Sequence, residues 1–176
     1  ERERRSGLTV PALPRLPIMN VMPPVALPAA PIARASAIIA AAHQLLAALE
    51  RGQRIDSAAL RTAMEVGFEA SDVTGVWDWK TAYEACECAT VLFLRKYGPA
   101  LFRKADTSAA RLTALSKITG LLPTHTRRSE ESQALQQFST PVPLGLAAIA
   151  AAAITPRDIV LEPSAGTGLL AILAEI

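Results

Sequence analysis

Ile159-Val160-Leu161-Glu162-Pro163-Ser164-Ala165-Gly166-Thr167-Gly168 decides how this chain is read. A short β-branched run ends in an acid, turns through two glycines and enters the apolar run Leu169-Leu170-Ala171-Ile172-Leu173. That order predicts a buried parallel strand, a tight loop and a helix. Gly166 and Gly168 lack a Cβ, so the backbone there can take positive φ and come close to a ligand. The helix that follows directs its unpaired N–H groups into the same crevice. Such a crevice is suited to a nucleotide.

The flanking residues discriminate among three ligands. A phosphate-cradling loop requires Lys and then Ser or Thr after its last glycine, and Gly168 is followed by Leu169 and Leu170, which excludes ATP at this loop. Gly166-Thr167-Gly168-Leu169-Leu170-Ala171 fits the G-x-G-x-x-A dinucleotide pattern. The acid that this pattern expects about 20 residues later falls beyond Ile176, so NAD is the lesser reading. Glu162-Pro163 before the loop favours a ligand with a cationic end over a pyrophosphate. Glu-Pro-Ser-Ala-Gly-Thr-Gly resembles the first motif of class I S-adenosyl-L-methionine-dependent methyltransferases, particularly the type that methylates adenine in DNA. The resemblance implies that Glu162, Pro163, Ser164, Ala165, Gly166 and Gly168 bind S-adenosyl-L-methionine.

Upstream, Gln137-Phe138-Ser139-Thr140-Pro141 is similar to the Phe-x-Thr-Pro segment of the same enzymes, which covers the methionine end of the cofactor. Phe138, Ser139, Thr140 and Pro141 are therefore expected at the cofactor as well. The same residues also suit a helix start, with Ser139 or Thr140 as cap and Pro141 in the first turn. The two readings are compatible.

Composition sets wider bounds. At 176 residues and 51% hydrophobic, with only 5% aromatic, the chain can form one domain or one and a half around an Ala-, Leu- and Ile-rich core. The net charge of +2 conceals an asymmetry. Residues 50–87 hold eight acids against four bases, whereas residues 95–128 hold eight bases against Asp106 alone. The basic section is either a solvated helical face or a surface for nucleic-acid phosphate, with Arg103, Lys104, Arg127 and Arg128 as candidate DNA contacts. Cys86 and Cys88, two apart on a helix, diverge, and His43 and His125 have no ligand spacing to them, so neither a disulfide nor a metal site is expected. The reading is a reducing, cytoplasmic location. The N-terminal residues lack the apolar core of a signal peptide, and the apolar run 142–154 is too short and alanine-rich to span a bilayer, so no membrane role is expected.

Residues 1–31 contain seven of the thirteen prolines and are expected to form an unstructured tail. Apolar periodicity predicts helices over 32–51, with Gly52 as the closing residue, over 56–68, over 77–97 ending at Gly98-Pro99, and over 108–118. His43 is expected as a boundary residue. The stripe Ala82, Cys86, Ala89, Phe93 and Tyr97 of the third helix, with Trp79 and Tyr83 on its edge, is expected to be core instead of a base-stacking platform. Residues 124–135 read as a linker and 136–176 as the start of the methyltransferase domain, entered through a helix over 142–153 expected to be buried on most sides. The fold class is thus mainly α: a helical accessory region over 32–123 leading into the first strand-loop-helix of an α/β Rossmann-like domain. A lone parallel strand leaves its backbone groups unpaired, so the segment is expected to be truncated and to rely on the remainder of a parent chain.

The helices with both motifs are also similar to the N-terminal region of bacterial proteins that join a methyltransferase-like domain to a Strawberry notch-type helicase. The motif-level likeness covers residues 136–173, with Glu162 where Asp is common and Ser139 where an aromatic is frequent. It carries no catalytic residue onto any position. Two function classes follow: a nucleic-acid methyltransferase acting on adenine N6 in DNA, whose helices position the substrate, or a helical nucleic-acid or protein interaction module with a non-catalytic Rossmann-like scaffold. On the first reading the segment by itself is inactive.

Overall fold

The computed structural model describes residues 29–124 and 139–176. Of the tail expected at 1–31, residues 1–28 lie outside them, as do the expected linker residues 125–135, while residues 29–31 belong to the first helix and not to a tail. Among the described residues the chain is helical and contains no strand.

Helix α1, Ala29–Glu50, begins within the proline-rich stretch, because Pro31 stands in its first turn where no N–H is needed. It ends where the sequence requires. Gly52 takes φ 65°, its N–H donates to Leu49 O, and Gln53 N–H donates to Ala48 O, the paired bonds of a Schellman cap. Helix α2, Ser57–Phe68, is capped by Asp56, whose carboxylate accepts the Ala59 N–H at 2.8 Å. A 3₁₀ turn at Asp72–Thr74 then leads to Asp78, which caps α3, Trp79–Lys104, through the Thr81 N–H at 2.8 Å. Helix α4, Ser108–Thr119, starts from Thr107, whose hydroxyl accepts the Ala110 N–H. Helices α5, Val142–Ala152, and α6, Leu169–Glu175, complete the described structure.

Two expectations about these elements are corrected. Helix α3 does not stop at Gly98-Pro99 but runs through both to Lys104. Pro99 removes the hydrogen bond to Arg95 O, a loss of about 3 kcal/mol. Continuing the helix carries Phe102, only 6% exposed, into apolar contact beside Leu94. Helix α5 is apolar yet buries only Val142, Gly145 and Leu146, leaving Leu144 62% exposed, since α4 and α6 cover one side of it.

Two hydrophobic clusters result. The first joins Ala41, Ala42, Leu45 and Leu49 of α1, Leu60, Ala63 and Met64 of α2, and Ala82, Tyr83, Ala85, Cys86 and Ala89 of α3. Trp77 seals it, 2% exposed, with its indole N–H donated to Ala70 O at 2.8 Å. Trp79 packs edge-on to Trp77 and carries Arg61 5.7 Å above its ring, so the aromatic stripe is core as expected. The second cluster joins Leu94 and Phe102 of α3 and Leu115 and Ile118 of α4 with Val142, Leu146, Leu169, Ile172 and Leu173. Leu112 is 43% exposed, because the inward face of α4 passes through Arg111, whose guanidinium lies 4.8 Å over the Phe102 ring. The second cluster therefore crosses the boundary drawn at 124–135 between accessory region and cofactor segment. No helix among the described residues is long and apolar enough to cross a membrane.

Candidate cofactor loop

The loop is entered through a tight turn. Asp158 accepts both the Thr155 N–H at 2.7 Å and the Thr155 hydroxyl at 2.9 Å, and these bonds hold its carboxyl below the usual range. Next come the three residues expected as a strand. Ile159 is fully exposed, Leu161 86% exposed and Val160 48% exposed. None of the described segments supplies a ladder to them, so the strand is not formed among the described residues.

From Glu162 the backbone is ordered by its own polar groups. Pro163 has no N–H, and Glu162 Oε1 reaches over it to accept the Ser164 N–H at 2.9 Å. Ala165 O accepts the Gly168 N–H at 2.7 Å, closing a four-residue turn. Gly166 takes φ 52° and Gly168 φ 89°, the left-handed region the sequence requires of both, where an L side chain costs about 1–2 kcal/mol. Space is not what excludes a side chain there. A Cβ at Gly168 would meet nothing within 4 Å, and one at Gly166 would meet only Ser164 O at 3.9 Å. The two glycines thus present an open backbone face, and Gly168 leads directly into α6.

Thr167, between the glycines, donates its hydroxyl to Glu87 Oε2 of α3 at 3.1 Å. Sequence reasoning missed Glu87: it lies 80 positions away, between two cysteines in a helix read for its apolar stripe, and no local signal marks it.

The upstream motif is placed differently from its reading as a capped helix start. Pro141 itself is the N-cap of α5, neither Ser139 nor Thr140 makes a side-chain cap, and the proline in the first turn is Pro143. Ser139, Thr140 and Pro141 are exposed, and Phe138 lies outside the described residues. No hydrogen bond joins these three residues to the glycine loop. The segments meet through their helices: a Cβ at Gly145 of α5 would stand 2.7 Å from Leu173 Cδ1 and 3.1 Å from Leu170 Cδ2 of α6.

The basic section divides in two. Arg95 pairs with Glu175 at 3.5 Å, Lys96 with Glu50 at 2.7 Å, and Arg111 donates to Ala105 O at 3.0 Å. Those three serve the fold. Arg103 and Lys104 end α3 exposed, where they also complement its C-terminal dipole, and Lys117 stands exposed in the last turn of α4. Arg127 and Arg128 are outside the described residues.

Neither cysteine is poised for chemistry. Burial, with a contribution from Glu87, pushes the Cys86 thiol up to about 12. Burial and the charges of Glu87 and Glu84 raise that of Cys88. Both are free thiols, and no group of three or more His, Cys, Asp or Glu among the described residues is arranged to hold a metal ion. His43 is exposed on α1. No family model matches the chain, and no curated protein or solved structure is significantly similar to it.

Proposed function

We propose that the loop over residues 162–168 binds S-adenosyl-L-methionine, and that the protein belongs to a methyltransferase acting on nucleic acid, with adenine N6 in DNA as its target. The observation that carries this reading is the loop's backbone: two glycines at positive φ, open on the side where a Cβ would stand, beside a carboxylate at the mouth of the turn. A cofactor with a cationic amino and sulfonium end meets bare peptide and a negative charge there. Residues 138–141 contribute the cover over the methionine end. Exposed Arg103 and Lys104, with Arg127 and Arg128, supply phosphate contacts to DNA. The reading assigns cofactor binding to this segment and a catalytic role to no residue in it.

A second reading, a helical interaction module whose loop is scaffold, is favoured by the way two polar side chains of the loop are engaged within the chain, Glu162 on the Ser164 N–H and Thr167 on Glu87. Calorimetric titration with S-adenosyl-L-methionine and with NAD separates the readings. Glu162→Gln keeps an acceptor for the Ser164 N–H while removing the charge, so affinity for S-adenosyl-L-methionine should fall by about 1–3 kcal/mol with the loop intact. Gly168→Val, a β-branched residue at φ 89°, should abolish binding. Tight NAD binding, or an affinity indifferent to Gly168→Val, would refute the assignment.

A further inference from the structure

Helix α6 is laid alongside α3 in the same direction. Thr167, Glu175 and Ile176 meet Glu87, Arg95 and Gly98 in ascending order along both chains: a hydrogen bond of 3.1 Å, an ion pair of 3.5 Å, and an apolar approach so close that a Cβ at Gly98 would stand 2.6 Å from Ile176 Cδ1. The last two contacts hold the far end of α6. The first holds the loop itself, at the one residue between the two positive-φ glycines.

Glu87 is well placed to hold it. The backbone carrying Glu87 lies between Ala85 and Cys86 on one side and Ala89 and Thr90 on the other, all 3% exposed or less. Thr90 returns its hydroxyl to Cys86 O at 3.0 Å, adding a further bond across this turn of α3. A carboxylate on so fixed a stem is a stiff acceptor, and a hydroxyl-to-carboxylate bond is stronger than one between neutral groups. Holding the Thr167 side chain restrains the peptides on both sides of it, and these belong to Gly166 and Gly168. Without that bond the turn is closed only by Gly168 N–H to Ala165 O and by the Glu162 hook on Ser164. Glycines that gain a ligand by being open also carry the largest conformational freedom to lose.

We infer that Glu87 is a positioning residue for the glycine loop, so that the helical region completes the ligand site from beneath and is not a separate module tethered to it. The inference rests on the cofactor reading for the identity of the ligand, and on the Glu87–Thr167 geometry alone for the anchoring. Amide hydrogen exchange on the free protein tests the anchor. Glu87→Ala and Thr167→Val should each accelerate exchange at Ser164 and Gly168 several-fold while amides 85–90 of α3 keep their protection, and Glu87→Gln, which retains an acceptor oxygen, should restore the wild-type rates. Titration with S-adenosyl-L-methionine tests the consequence. Each of the two disruptive variants should weaken binding about five- to tenfold, the double variant no more than either alone, and Glu87→Gln should stay close to wild type. Unchanged exchange at Ser164 and Gly168 in both disruptive variants would overturn the inference, as would a loosened loop with unaltered affinity. Absence of binding by the wild-type protein would instead remove the cofactor reading and leave the exchange result to decide the anchor.

Discussion

Replacement of Gly67 by alanine should destabilise the protein, although helix propensity alone argues the opposite. Gly67 lies one residue from the end of α2, and in an exposed helix Gly→Ala gains about 1 kcal/mol. Here the added Cβ would stand 2.5 Å from Ala37 O, 2.9 Å from Ala41 N and 3.0 Å from Ala41 Cβ. The first two are backbone atoms of α1, with no rotamer to escape through. Relief requires α1 to withdraw by about 1 Å over the layer formed by Leu45, Leu60 and Met64, all 2% exposed or less. Overpacking of this kind costs about 1–3 kcal/mol, and a rigid obstacle places it in the upper part of that range. The net loss should be about 1–2 kcal/mol, a fall in Tm of about 2–8 °C for a chain of this length. Two other glycines serve as controls in the same urea and thermal melts followed by circular dichroism. Gly120→Ala, at φ −64° with its nearest atom Lys117 O at 3.4 Å, should stabilise by about 0.4–1 kcal/mol. Gly52→Ala has open space but φ 65°, and should lose about 1–2 kcal/mol to backbone strain. If Gly67→Ala stabilised as Gly120→Ala does, the close crossing of α1 and α2 would be refuted.

The cap of α3 should be visible in acid. Burial raises the pKa of Asp78, but the hydrogen bonds from the Thr81 hydroxyl and N–H, with Arg34 and Lys80 nearby, outweigh it and hold the carboxyl below its ordinary value of 3.8. A folded-state pKa below the unfolded one contributes stability above that ordinary value and loses it as pH falls through the lowered one. The drop in Tm between about pH 5 and 3 should therefore be shallower in Asp78→Asn than in wild type, and equal slopes would refute the assignment. Arg103→Ala with Lys104→Ala should lower the slope of log affinity for duplex DNA against log salt by up to about 0.9 for each phosphate no longer neutralised. An unchanged slope would leave those residues as a solvated helix end.

What the sequence made legible was local. Gly52 and Asp56 announced the end of α1 and the start of α2, and both act through bonds to residues within four positions. Gly166 and Gly168 announced their positive φ because few other residues tolerate it. Pro99 misled, since its local cost was visible while the reward, Phe102 entering the second cluster, depended on α4 and α5 being present to receive it. The uniform apolar character of residues 142–153 likewise could not reveal that only one side of α5 would be covered. Gly67 lets a second helix approach, a fact that belongs to the pair of helices and not to the local sequence. The run Ile159-Val160-Leu161 has strand composition, but among the described residues it has no partner, and composition does not supply one.

The same distinction bears on how the candidate site is assembled. Its backbone shape follows from glycines and a proline-spanning acid, all within seven residues. Its placement follows from α3, which contributes Ala82, Cys86 and Ala89 to one hydrophobic cluster and Leu94 and Phe102 to the other. Glu87 lies within the first of those sets, between Cys86 and Ala89. A helix packed into both clusters resists tilting, so a side chain on its closely packed first half is a fixed point to which a glycine-rich turn can be tied. A loop built only from its own short-range bonds would be free to close on itself. Tied to Glu87, with α6 held at its other end by Arg95 and Gly98, it has its open face set by the two clusters that α3 bridges.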